Sequence, residues 1–553
     1  MRGAWFTFGV MVLLCGTMTT GRAQVPVQPS LMDEAFQAAQ WGFLSSAGSA
    51  LRQTQQRRAV GDGPLADLLK ARQLLVDQIS KTETLLASTG TDKTGEARDA
   101  KVRLAGDLEG LNAELRDLDT NLDQNFPEFS RLTNPHPLSL DQVQALLAPD
   151  EGMLFVFSGQ QNSFVWAITP TRIAWHRVGL GRVTLADSVG QIRQSLQQAT
   201  LLRGAAGLDD EFGKPKTAAF DRVWSGLLYG ELLRPLEPTL KDVKHLYSVV
   251  DGPLTGLPLS LLVTDWPLTG EDDDPEVLRR TSWLFQKHAM TTLPSVESLQ
   301  LIVQRRSEPK VKEDYAFLGF GDPDFSGQEM SQPSGSLYRA GTADLESIRA
   351  LAPLPNTRRE IRELSAILGP ETSQIYLGPQ ASEATLRQAL PVRAKVVAFA
   401  THGLLSGELR GLAEPALVLS PPDLATPAND GLLKASEIAE LTIDADWIVL
   451  SACNTAGGDG TPDAEGLSGL TRAFLFSGAR AIMVSHWPVR DDAAARLTTQ
   501  TFGYLADAGS GAPRRKAEAL QHSMQLMLDD TSDPSLAHPA AWAPFVVVGD
   551  GGD

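Results

Sequence analysis

The sequence predicts an α/β protein. Its core is a mostly parallel sheet with helices on both faces, preceded by a companion α/β domain and an N-terminal helical hairpin. Three observations carry this reading. From residue 315 onward, short near-continuous apolar runs alternate with helical stretches, the signature of parallel strands buried on both sides. Between residues 134 and 305 strand-like and helix-like stretches also alternate. Residues 31–130 carry leucines at helical spacing instead.

The chain opens with "MRGAWFTFGVMVLLCGTMTTGRAQ". Arg2 supplies a short positive region, an apolar stretch runs from Ala4 to Leu14, and small residues lead to Gly21-Arg22-Ala23. This is the pattern of a secretory signal over 1–23, cut after Ala23, and it predicts an exported protein, periplasmic or secreted. The alternative is an uncleaved anchor, for which the apolar run is short. No other segment is apolar enough to span a membrane, so none is expected after signal cleavage.

Residues 24–133 form the predicted helical region. Leu104, Leu108, Leu111, Leu115, Leu118 and Leu122 recur at alternating spacings of four and three, a heptad seam. Leu68, Leu75, Ile79 and Leu86 carry a looser version, and the turn-rich "STGTDKTG" separates the two. Facing apolar stripes predict an antiparallel, coiled-coil-like hairpin, a structural arm or a docking surface for a protein partner. No repeat of fixed period supports a solenoid.

The companion domain is expected over 134–305. "GMLFVFSG" and "SFVWAIT" are short, β-rich and close together, which predicts a hairpin. "HLYSVVDGPLTGLPLSLLV" and "SVESLQLIVQRR" follow as strand-like and helix-like stretches. The charged, proline-containing "QRRSEPKVKEDY" leads into the second unit, 306–553. There, strands are expected at "YAFLGFG", "QIYLG", "KVVAFATHG", "ALVLS", "DWIVLSAC", "AIMVSHW" and "FVVVG". Helices are expected at "TRREIRELSAILG", "SEATLRQAL", "GLSGLTRAFLFSG", 491–506 and 514–529.

Two strands of that unit end in reactive residues. "VVAFA" delivers Thr401-His402-Gly403 and "WIVLSA" delivers Cys453, each at the carboxyl end, where open α/β sheets build their sites. The two residues are 51 apart, close to the separation of about 50 in one Cys/His protease family. A free thiol is only a few per cent thiolate at neutral pH, and an adjacent imidazole both activates it and later protonates a leaving amine. Gly403 and the amide of Cys453 offer backbone donors for an oxyanion. Cys453 also has a plain reading as a small buried hydrophobe. His486, in "SHWPV", is a second strand-end histidine and a rival base. Asp491 and Asp492 start a helix, where acids stabilise the helix dipole.

Composition narrows the classes. A net charge of −18 over 553 residues speaks against nucleic-acid binding. Signal removal takes away Arg2, Arg22 and no acid, and moves the charge to −20. The chain has two cysteines, Cys15 and Cys453, so the processed protein would keep one thiol, with neither an internal disulfide nor a multi-Cys zinc site. "GGDG" lacks the Gly-Lys-Ser/Thr of a phosphate loop, and no HExxH, CxxC or EF-hand pattern occurs, so no cofactor is expected.

"ATHG", "LSAC", the stretch 465–480, "VSHWPV" and "HPAAWAPFVVVG" resemble a CHAT domain, as do the upstream "VVDGPLTGLPLSLL", "FGDP" and "LPNTRREI". CHAT domains are caspase-like, in the clan that also holds caspases, metacaspases, gingipains and separase. The resemblance spans roughly 134–550. It implies a caspase-like sheet, a degenerate companion over 134–305 and a catalytic unit over 306–553. It further implies a cysteine endopeptidase with His402 as general base and Cys453 as nucleophile, a thioester intermediate, and protein or peptide substrates. Asp491 matches an aspartate that lines the pocket for a basic P1 residue in separase-like relatives. "SACNT" departs from the glutamine-containing caspase motif, so cleavage after Asp is not expected, and His486 stands where a leucine is expected. The alternative is a non-catalytic scaffold that keeps the fold.

Overall fold

The computed structural model describes residues 30–42, 137–201, 218–307, 313–325, 345–405, 414–452 except 427, 469–507 and 514–552, with Leu412 and isolated positions between 68 and 121. The first unit contains β1 (Glu151–Ser158), β2 (Ser163–Ile168), β3 (Ile173–Val178), β4 (His245–Val250) and β5 (Ala289–Thr292). The second contains β6 (Tyr315–Gly321), β7 (Ser373–Leu377), β8 (Val392–Ala400), β9 (Gly403–Leu404), β10 (Ala416–Val418), β11 (Leu432–Lys434), β12 (Ile443–Ser451), β13 (Ala481–Ser485) and β14 (Phe545–Gly549).

Eleven of these strands form one continuous sheet, in the order β3-β2-β1-β4-β5-β14-β13-β12-β8-β6-β7. Seven of its ten neighbour pairings are parallel, so the sheet is mostly parallel as the apolar runs predict. The expected hairpin is β1–β2, in register from Met153↔Ile168 to Ser158↔Ser163. β3 and β5 escaped the sequence reading. β3 is a half-exposed edge strand, and β5 is only four residues long. β14 also differs from expectation: it runs antiparallel to β13 and parallel to β5, through Val547↔Thr291. The sheet is therefore two parallel blocks, β1-β4-β5-β14 and β13-β12-β8-β6-β7, running in opposite directions and joined at β13/β14, with β2 and β3 added antiparallel at the edge of the first. "ALVLS" lies outside it, because β10 pairs antiparallel with β9 and β11 in a small three-stranded sheet.

The labelled helices are α1 (Leu140–Leu146), α2 (Arg182–Leu201), α3 (Arg222–Leu232), α4 (Ser298–Arg306), α5 (Pro355–Leu368), α6 (Glu383–Ala389), α7 (Ala435–Glu440), α8 (Gly469–Ser477), α9 (Asp491–Ala506) and α10 (Lys516–Asp529). They cover both faces, and the two-residue period of each strand decides which. Val396 and Ala398 of β8, with Trp447 and Val449 of β12, point into the core under α5, α9 and α10. Val397 and Phe399, with Ile448 and Leu450, point the other way, under α6, α7 and α8. Each large side chain so buried contributes roughly 1.5–3 kcal/mol.

A helix over 31–42 docks on the first block. Phe36 meets Phe155 edge-on at 5.5 Å, and the Gln40 side chain exchanges hydrogen bonds of 2.9 and 3.0 Å with the backbone of Leu138. Further on, Leu68, Leu75 and Ile79 are helical and half-buried, as are Leu104, Leu108, Leu111, Leu115 and Leu118. Those are seam positions, while the described Gly106, Gly110, Glu114, Arg116 and Asp117 between them are exposed. The turn expected to join the two stretches, and Leu86 and Leu122, lie outside the described residues. No described helix is long and apolar enough to cross a membrane, and the segment 1–23 is not described.

Candidate active site

β8 and β12 are direct parallel neighbours, in register to their last residues, Ala400↔Ser451. His402 follows Ala400 by two residues and Cys453 follows Ser451 by two, so the sequence carries both away from paired strand ends at equal remove. Cys453 lies outside the described residues, as do 454–468.

His402 is half-buried and held from several sides. Its Nε2 lies 2.7 Å from the carbonyl oxygen of Ala352. A carbonyl only accepts, so Nε2 carries a proton here, which leaves Nδ1 as the ring's other nitrogen. The Phe325 ring stands 5.7 Å away. Val418 N–H donates to the His402 carbonyl at 2.9 Å, and the Thr401 hydroxyl donates to the Val418 carbonyl. Gly403 opens β9 and sits opposite Leu417. Because His402 and Val418 form the hydrogen-bonded pair, the alternation of an antiparallel ladder turns the Gly403 N–H away from β10.

Asp491 begins α9. Its Oδ2 accepts the backbone N–H of Asn356, 2.9 Å away, at the amino end of α5. Asp492 pairs with Arg490 instead, which also reaches Asp533. Burial works against its charge, but that guanidinium holds the Asp492 carboxyl below its usual range.

The segment 352–360 ties these parts together. Ala352 orients His402, and Asn356 holds Asp491. Thr357 Oγ1 accepts the N–H of Asp322 at 3.0 Å, and Arg358 Nε donates to the Asp322 carboxylate at 2.6 Å. Asp322, just past the end of β6, lies in the left-handed region, φ +49°, a strained conformation that these two contacts hold. Glu360, 1 % exposed, accepts the Ser451 hydroxyl at 3.1 Å and the Thr498 hydroxyl at 2.8 Å. The Ser485 hydroxyl in turn donates to the Ala452 carbonyl at 2.6 Å.

Neither Ala352 nor Glu360 was singled out from sequence. A backbone carbonyl has no residue signature. Glu360 did leave one: Thr357, Glu360, Ile361 and Leu364 are the buried positions of α5, so a carboxylate occupies the i+3 place of an apolar stripe. His486, the rival base, is half-buried, with its Nδ1 turned inward. It lines a cavity of about 20 Å³ with Ser248, Thr255, Thr292 and apolar side chains. Burial pushes its pKa down to about 3, and its Nδ1 has no hydrogen-bond partner among the described residues. Such a ring favours its neutral form. No cluster of metal-ligating residues occurs among the described residues.

A family model described as "CHAT domain" matches residues 224–550. Two similar curated proteins are both tetratricopeptide repeat protein 28. The mouse protein is 28 % identical over 224 residues, 36 % of this chain and 9 % of the relative. The human protein is 24 % identical over 376 residues, 61 % of this chain and 13 % of the relative. The chain thus spans about a tenth of the length of these relatives. Among solved structures, the Saccharomyces cerevisiae separase–securin complex aligns with a TM-score of 0.42 at 12 % identity, over 86 % of this chain and 37 % of that one. The Arg-specific cysteine proteinase gingipain R aligns with a TM-score of 0.34 at 12 % identity, over 60 % of this chain and 67 % of that one.

Proposed function

The chain belongs to the CHAT-domain family, and from that premise we propose that it is a cysteine endopeptidase built on a His402/Cys453 dyad. The observation that carries the proposal is the shared register of β8 and β12, together with the Ala352 carbonyl that occupies His402 Nε2. In this reading His402 Nδ1 takes the thiol proton of Cys453, and the thiolate attacks the scissile carbonyl. The N–H groups of Gly403 and Cys453 receive the oxyanion. The tetrahedral adduct collapses to a thioester as His402 returns the proton to the leaving amine. Water, deprotonated by the same nitrogen, then releases the acid and restores the thiol.

Asp491 supplies the preference for a basic P1 residue. One of its oxygens is held by Asn356, and the other, with no hydrogen-bond partner among the described residues, can meet a guanidinium or ammonium group. The unit over 134–305 serves as a degenerate companion, and the helical arm, paired as a hairpin, docks a protein partner. Export through the segment 1–23 would place this thiol outside the cytosol.

Iodoacetamide labelling followed by peptide mapping tests the dyad. A thiol at its ordinary pKa is about 3 % ionised at pH 7, so an imidazole-paired Cys453 should react on the order of 30-fold faster than in His402→Ala. Equal rates in the two proteins would refute the dyad.

A further inference from the structure

Glu360 sits where a charge is costly. It lies on the buried stripe of α5, packed against α9 and the end of β12, and no salt bridge reaches it among the described residues. Two hydroxyls stand in for a counter-ion: Ser451 on one carboxylate oxygen and Thr498 on the other. The charges that bear on it most, Asp491 at the start of α9 and Glu363 on its own helix, are both acidic. Burial pushes its pKa up to about 7, against the pull of the two hydroxyls.

The two hydroxyls are not equivalent. Thr498 Oγ1 lies 3.1 Å from the carbonyls of Ala494 and of Ala495, so it can donate to its own helix and accept from Glu360. Ser451 has no such second acceptor among the hydrogen bonds described. It is the last residue of β12, and the carbonyl of the next residue, Ala452, is held by Ser485.

We propose that Glu360 is a proton-responsive positioning residue for the end of β12: as a carboxylate it grips the Ser451 hydroxyl, and on taking a proton from solvent it loosens that grip. The neutral acid donates its O–H to Thr498, Thr498 turns its own proton to the Ala494 carbonyl, and Ser451 is left donating to an uncharged oxygen. A hydrogen bond to a charged acceptor is roughly twice as strong as one to a neutral group. Cys453 follows two residues later, so its reactivity carries the readout. The functional consequence rests on the peptidase reading, whereas the hydrogen-bond exchange does not.

The test is a mutant cycle of wild type, Glu360→Gln, Ser451→Ala and the double variant, each scored for Cys453 alkylation by iodoacetamide from pH 6 to 8. Glutamine copies the protonated state, with an N–H for Thr498 and a carbonyl for Ser451. The wild-type rate divided by the Glu360→Gln rate should rise several-fold across this range, with a midpoint near pH 7, and in the Ser451→Ala background the ratio should stay flat. A ratio flat in both backgrounds, or rising equally in both, would overturn the proposal. A purely structural role gives a constant offset with no midpoint. A His402→Ala control run alongside separates the two readings: unchanged labelling there refutes the dyad, while the Glu360–Ser451 coupling is scored independently of it.

Discussion

Replacing Glu360 by glutamine should flatten part of the pH dependence of stability. The carboxyl titrates at about 7 in the folded protein, against 4.5 for the ordinary side chain. Between those values the folded state holds a proton that the unfolded chain has released, so stability falls as pH rises. The contribution is fully present below pH 4.5 and is lost as pH rises through 7. At about 1.4 kcal/mol per pKa unit the shift amounts to about 3 kcal/mol. Other buried acids titrate in this range too: Asp251 is raised to about 6 and Glu383 to about 7, both by burial. The comparison with Glu360→Gln cancels them. Urea unfolding at pH 5, 6, 7 and 8 gives the measurement. Relative to wild type, the variant should gain about 2.5 kcal/mol between pH 5 and 8, because part of the loss already lies below pH 5, on top of a constant offset from its altered hydrogen bonds. A difference that stays constant within about 0.5 kcal/mol would show that the carboxyl is not carried through its titration in this range.

Asp491→Asn should lower kcat/KM for peptides with Arg or Lys at P1 by about 10- to 100-fold, while peptides with an uncharged P1 change little. The asparagine carbonyl can still accept the Asn356 N–H, so an equal loss across all P1 residues would count against a specificity role. His486→Leu should leave Cys453 alkylation at the wild-type rate. It should also keep or raise the unfolding temperature, because it removes a buried ring nitrogen with no partner. Slowed alkylation in a folded His486→Leu protein would return that residue to the list of bases.

The elements that bear the site were legible for physical reasons. "VVAFA" and "WIVLS" are uninterrupted apolar runs because β8 and β12 are covered on both faces, and a strand that meets helices on each side has no polar face to show. The start of α9 was equally plain, since Asp491 and Asp492 follow Pro488 and sit where a helix dipole favours acids. β5 and the pairing of the small sheet were not, although "ALVLS" reads as a strand. "AMTT" is too short to show a period, and β9, β10 and β11 are two or three residues each, defined by partners far away in sequence.

Strand direction is the deeper omission, and it decides which edge of the sheet carries the candidate site. "FVVVG" reads the same whether it runs up or down, yet its antiparallel seat beside β13 reverses the whole first block. Asp251, just past the carboxyl end of β4, therefore faces the opposite edge from His402. There it holds the Ser158 N–H at 2.6 Å and Arg182 at 3.1 Å, a latch within its own block. A sheet with every strand aligned would have brought both carboxyl ends to one cleft. In the observed sheet, the first block contributes its carboxyl ends elsewhere. The edge at His402 is furnished from β6, β8, β12 and β13 and from the amino ends of α5 and α9. The segment 352–360 can act on all of these together because its contacts reach His402, Asp322, Ser451 and Asp491 within nine residues of chain.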